Sequence, residues 1–213
     1  HQIGVGVYSF AAGRDGALPV AKFNPAKNSL NPWQSSEVYR VSGGSATISE
    51  GPFNHGELHG AGVVADGHLF YCPSQARFHE KWSYEYYSRD GRNWPSTPAG
   101  SGDDNIRTSY NYFPTSLTQF ESGRGGGKGL VLPAASLDDL DVRKAMASDL
   151  IQNKGNAAHQ DNGWAGFHVM FGDGHVRFQS ESENPEAFAD KYWSAGVGGN
   201  PTAWRIIWAL WSP

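Results

Sequence analysis

The chain has 213 residues, with 17 Lys and Arg against 21 Asp and Glu and a formal net charge of −4. That length is ample for a hydrophobic core. No basic run or cluster is present, which excludes the usual footprint of a nucleic-acid partner and of a polybasic membrane-surface patch. No segment approaches the roughly 18–20 apolar residues of a membrane span, and no secretory signal is legible. The 27 Gly and 12 Pro, beside 8 Trp, 9 Tyr and 11 Phe, disfavour a helical bundle and favour a turn-rich α+β or mostly β chain.

In chain order, Ile3, Val7, Phe10 and Ala11 recur at helical spacing over residues 1–12. Gly4 and Gly6 weaken that helix by about 1 kcal/mol each, and Gly13 and Gly16 stop it. The chain starts at His1 rather than Met, so the reading is the last turns of a longer helix. Short strands are predicted at Glu37–Ser42 and near Ala46–Ser49. His68–Cys72 (HLFYC) reads as a strand closed by Pro73. Cys72 is the sole cysteine, so no internal disulfide can form, and a small buried hydrophobe is its plainest role.

Residues 74–130 read as a loop-rich insertion in a single domain spanning 1–213. It is punctuated by Asp90-Gly91, Trp94-Pro95 and Thr97-Pro98, with a possible strand at Ser109–Phe113 and a Gly-rich loop at Gly123–Gly129. Ser136 and Asp139 suggest a capping box opening a helix, followed by a buried strand near Ala147–Ile151. Phe167–Phe171 and His175–Phe178 alternate around Asp173-Gly174, the clearest hairpin of the chain. Asn184-Pro185-Glu186 reads as a helix start. At the end, Trp204, Ile207, Trp208 and Trp211 fall on one helical face, either core or a contact for a neighbouring subunit.

Four segments, taken together and in order, resemble a known family. They are QIGVGVYSFAAGRDGALP at Gln2–Pro19, LFYCPSQ at Leu69–Gln75, Ala147-Ser148-Asp149-Leu150, and GFHVMFGDGHVRF at Gly166–Phe178. The set is similar to the type IV pilin-like proteins, in particular the major pseudopilin-like group of type II secretion with a C-terminal DGHV hairpin. One departure stands out. That group often places a histidine with nine residues between it and Asp-Gly, whereas here Gly163 holds that position and His159 stands with thirteen residues between it and Asp173.

The resemblance implies an α+β, pilin-like head in which the end of a long N-terminal helix packs on an antiparallel sheet. It also implies a non-catalytic structural subunit that partners copies of itself, other pilin-like subunits and the secretion machinery. The full-length protein would be anchored in the inner membrane by the preceding helix, its head periplasmic or extracellular. A polysaccharide- or ligand-binding module on the same head is the alternative, and a metal-dependent enzyme using His and Asp the third reading.

Candidate site residues follow from residue chemistry. Asp149, His159, Asp173 and His175, with Asp161 and His168 nearby, are metal-ligand types crowded in sequence, and Ca²⁺ is the cofactor they suggest. Trp82, Tyr84, Tyr86, Tyr87 and Trp94 would stack on sugar rings if exposed. The loop Gly102–Asn105, with Asp103 and Asp104, is a second oxygen-rich candidate. His55, Glu57 and His59 do not make the His-Glu-x-x-His pattern, and Gly56 and Gly60 argue against a helix there. No Ser lies in a Gly-x-Ser-x-Gly elbow.

Overall fold

A computed structural model describes residues 2–22, 32–42, 46–117, 133–161, 164–193, 197 and 200–211. His1 and the Gly123–Gly129 loop lie outside this set. The chain is mixed helix and antiparallel sheet. In order run α1 (Gln2–Ala12), α2 (Pro32–Ser35), β1 (Glu37–Val41), β2 (Ile48–Glu50), α3 (Gly56–Gly60), α4 (Pro73–Ala76) and α5 (Tyr84–Tyr87). There follow β3 (Asn105–Arg107), β4 (Tyr110–Tyr112), β5 (Ala145–Asp149), β6 (His159–Asp161), β7 (Trp164–Phe171), β8 (Val176–Ser180), α6 (Asp190–Trp193) and α7 (Pro201–Leu210). Among the described residues no helix is long and apolar enough to cross a membrane.

Strands β2, β1 and β3 form a small antiparallel sheet in that order. The larger sheet is built on β7. Its residue Gly166 pairs with both His159 of β6 and Ser180 of β8, and Val169 pairs with both Ser148 of β5 and Arg177 of β8. A strand has two edges, so β8 occupies one and β5 and β6 share the other, end to end. β4 extends the sheet beyond β5.

The two-residue side-chain period of a strand sorts β7 between two cores. Phe167, Val169 and Phe171 pack with Trp204, Ile207, Trp208 and Trp211 of α7 and its C-terminal flank. Met170 packs on the other face with Ile3, Val7 and Phe10 of α1. The α7 face is thus core, one of the two outcomes its periodicity left open. Asn200 caps its N-terminus by accepting the Ala203 N–H, with Pro201 just inside. Trp204 and Trp208 stack with centroids 4.4 Å apart and planes 19° apart, and Trp208 Nε1 donates to the Ala145 carbonyl.

The glycines of α1 face inward. A Cβ on Gly4 would stand 2.3 Å from Met170 Sδ, so the residue that lowers helix propensity is the one that lets α1 approach β7. Tyr8 fastens the same helix to the hairpin by donating to the Gly172 carbonyl at 2.5 Å.

Several local expectations change. HLFYC is a 3-10 turn over Gly67–Phe70 that becomes extended at Tyr71, because Asp66 accepts the His68 N–H and starts the turn. Ser136 makes no capping bond, and only a 3-10 turn at Leu137–Asp139 follows. Asn184-Pro185-Glu186 opens turns, and the helix α6 begins only at Asp190. The β7–β8 turn has three residues rather than two. Gly174 sits at φ +88° and the Phe171 N–H donates to His175 O, a left-handed glycine at the bulge position of a three-residue hairpin loop. Residues 74–117 are far from pure loop, since they hold α4, α5, β3, β4 and much of the first core.

Candidate functional site

The junction where β5 ends and β6 begins, along one edge of β7, gathers Cys72, Asp149, His159 and His168. Ser148 pairs with Val169 and His159 with Gly166, so the edge of β7 at Phe167–His168 lacks a continuous partner strand. Asp149 fills that gap. Its Oδ2 accepts the His168 backbone N–H at 2.6 Å and lies 3.2 Å from His168 Nδ1. The chain then turns away, with the Leu150 N–H donating to Ser109 O and the Ile151 N–H to Asn111 Oδ1.

Cys72 arrives from a distant stretch of sequence. It is extended, and Pro73 after it starts α4. The buried Gln75 of α4 donates to Asn156 O at 3.1 Å, and Arg77 reaches Ala158 O at 3.5 Å. These two bonds hold the Cys72 turn against the residues that lead into β6. His159 Nε2 consequently lies 3.6 Å from Cys72 Sγ and 3.4 Å from Asp149 Oδ2. One atom from each of Cys72, Asp149 and His159 falls within 4.8 Å of the others.

Asp149 is almost wholly buried, with 4 % of its side chain exposed, against 28 % for His159 and 48 % for His168. Burial, and then the Asp149 charge, push the Cys72 thiol up. Burial also pulls His159 down, outweighing the attraction of Asp149. The hydrogen bond with Asp149 raises His168. Tyr110, beside them, is held far above the ordinary phenol value by burial and then by Cys72 and Asp149. A cleft of about 120 Å³ opens next to the group, lined by Asp149, His168, Tyr110, Ser148 and the first residues of α1.

The arrangement does not suit nucleophilic catalysis. In a Cys-His-Asp relay the thiol and the carboxylate address opposite ring nitrogens. Here Cys72 and Asp149 both face Nε2 of His159, and burial pushes the thiol's pKa up rather than down. One donor atom from each of three ligand-type side chains, all within 4.8 Å of one another, is a spacing that could hold a metal ion.

Of the expected ligand set, Asp149 and His159 come together, while Asp173 and His175 do not join them. Those two pair with each other at the exposed hairpin turn, His175 Nδ1 lying 2.5 Å from Asp173 Oδ1 and its ring stacking on Phe171. The reason is distance, since an extended strand advances about 3.3 Å per residue and the turn beyond Phe171 lies ~10 Å or more along β7 from His168. The Asp161 side chain lies outside the described part.

The aromatic set is a correction. Trp82, Tyr86, Tyr87 and Trp94 are buried at 8 % exposure or less, and the half-buried Tyr84 stacks on His68. Tyr86, Tyr87 and Trp94 belong to the first core, with Tyr84 packed against it, and Trp82 is buried apart from it, so the set does not present a row of exposed faces to a sugar. The Asp103–Asp104 loop is likewise committed. Asp103 pairs with Lys81 at 2.8 Å and faces Arg107 at 3.9 Å, which satisfies the charge a cation would need. The run does form a single helical turn, α3 (Gly56–Gly60), with His55 at its N-cap, and Gly56 is there for a close contact. Its Cβ would stand 2.6 Å from Val38 Cβ. His55 is buried on Thr108 Oγ1 at 2.6 Å, and His59 packs on Tyr39 and Trp94.

Sequence reasoning missed Cys72 as a site residue and named His168 only as a neighbour of the ligand candidates. Cys72 stands 87 positions before His159 and carries no spacing signal. His168 was recoverable, because the alternation that sends Phe167 and Val169 to one core sends His168 to the α1 face. Comparison of the chain with protein-family models, curated proteins and solved structures finds no match.

Proposed function

We propose that the protein is a non-catalytic structural subunit of a filament of the type II secretion pseudopilus or type IV pilus kind. The observation that carries this reading is the two-sided character of α1. Its inner face, Ile3, Val7, Phe10 and Ala11, packs toward the sheet that ends in the DGHV hairpin. Its exposed stripe is Gln2, Val5, Ser9 and Ala12, with Val5 57 % exposed. That stripe carries no charge. A surface helix ordinarily turns charged residues to water opposite its apolar face, whereas small uncharged side chains let helices approach closely.

In this reading the α+β head is pilin-like, and α1 continues a preceding apolar helix that anchors the subunit in the inner membrane and packs in the filament. The head then stands on the periplasmic or extracellular surface. Its partners are copies of itself or other pilin-like subunits and the secretion machinery that assembles them.

The test uses the full-length gene product in its native cells, with a photo-crosslinking residue in place of Val5. Irradiation is expected to give a ladder of multimers, with little crosslinking from the same residue at exposed Glu183, just after β8. Monomer alone from Val5, in cells where the protein accumulates, would overturn the reading. So would a reading frame with no stretch of about 20 apolar residues ahead of residue 2.

A further inference from the structure

At the β5–β6 junction one ring nitrogen faces two partners, at sulfur hydrogen-bond distance from one and beyond the usual N–H···O length from the other. His159 Nε2 is 3.6 Å from Cys72 Sγ and 3.4 Å from Asp149 Oδ2. One ring N–H points along one line and serves one acceptor well, and N–H···O bonds run about 2.7–3.2 Å. Zn²⁺ binds thiolate sulfur at about 2.3 Å, imidazole nitrogen at about 2.0–2.1 Å and carboxylate oxygen at about 2.0–2.2 Å. At the tetrahedral angle those lengths separate sulfur from nitrogen by about 3.6 Å and nitrogen from oxygen by about 3.4 Å. Both observed distances take these values.

We infer that Cys72, Asp149 and His159 are the three protein ligands of one tetrahedral Zn²⁺-class ion, whose fourth position is taken by water. The donor set decides the class of metal. Sulfur and imidazole suit Zn²⁺ and its neighbours in the first transition row, while Ca²⁺ and Mg²⁺ need shells of oxygen. The Cys72 thiolate and the Asp149 carboxylate together balance the charge of a divalent ion, and binding releases the thiol proton to solvent. His168 holds Asp149 in place through its backbone N–H, the kind of outer contact that orients a ligating carboxylate. The inference is independent of the filament reading, since it rests on three side chains and not on α1.

The test begins with tag-free, chelator-stripped protein titrated with Co²⁺. A tetrahedral Co²⁺–thiolate centre is expected, with visible d–d bands and a near-ultraviolet sulfur-to-cobalt charge-transfer band. Both saturate at one equivalent and are bleached by Zn²⁺. Cys72→Ser removes the charge-transfer band. Asp149→Asn and His159→Gln each weaken Zn²⁺ binding by at least about 100-fold, beyond the 10–100-fold typical of an outer-shell change. His168→Ala keeps the band and the stoichiometry. A wild-type protein that gives no charge-transfer band with excess Co²⁺ overturns the proposal without any substitution, so a variant that fails to fold leaves it decidable. Zn²⁺ bound by folded Cys72→Ser as tightly as by the wild type overturns it equally.

Discussion

Among single residues, His55 couples the fold to pH most directly. It is fully buried in the first core, stacked on Phe70 and bonded to Thr108, and burial pulls its pKa down to about 3. The native side chain therefore stays neutral where the unfolded chain, near 6.5, has already taken up a proton. Stability contributed by the neutral ring is present above about pH 6.5 and is lost as pH falls toward 3. At about pH 5 the loss is about 2 kcal/mol. Urea unfolding at about pH 7 and about pH 5 measures it. His55→Gln, whose amide still reaches Thr108 but does not titrate, is expected to shrink the difference between the two pH values by that amount. An unchanged difference would locate the acid sensitivity elsewhere.

Among elements, α1 on β7 sets a propensity against a contact. Replacing Gly4 with a residue bearing a Cβ gains about 1 kcal/mol of helix propensity at most, but the new atom starts 2.3 Å from Met170 Sδ. Overpacking of that kind costs about 1–3 kcal/mol, and a branched side chain cannot turn away. Gly4→Val is expected to lower stability by about 2 kcal/mol, and the cost should shrink when Met170 is first truncated to Ala. A double-mutant cycle read by denaturant unfolding checks both statements, and additive effects would refute the contact.

The same scale shows what the sequence makes legible. α7 and the β7–β8 hairpin follow from periods of 3.6 and 2 over enough residues to be unambiguous, and Gly174 marks the turn. The apolar run at 67–72 has no such period, and its local cap at Asp66 decides the outcome. At the site, Asp149 and His159 are visible as ligand types next to the hairpin. Their partnership with Cys72 and His168 is not, because it depends on β5 and β6 sharing one edge of β7. That is a fact of strand order, set by contacts far apart in sequence. The aromatic cluster at 82–94 misleads for a related reason, since burial in a core of short helices is a tertiary outcome that composition alone does not report.

At the scale of the whole molecule, the two cores lie on opposite faces of one sheet, and the Cys72–Asp149–His159 group sits where β5 and β6 meet along one edge of β7. An ion there would join the turn before α4, the end of β5 and the start of β6. It binds the folded arrangement and not the separated segments, so its binding free energy adds to folding. At a free concentration about 1,000 times its dissociation constant the gain is about 4 kcal/mol. Thermal unfolding of the stripped protein with and without Zn²⁺ is expected to show a higher midpoint with the metal, and Cys72→Ser should lose most of that rise. Equal midpoints in the wild type would separate the site from the fold's stability.

The stacked pair Trp204 and Trp208, nearly parallel at 4.4 Å, has an optical consequence. Two indoles so close share their electronic excitations, and their rigid offset makes the coupled transitions chiral. Both rings stand one turn apart on α7 and are fully buried. An exciton couplet from the pair in circular dichroism is therefore expected to report the formation of the last helix.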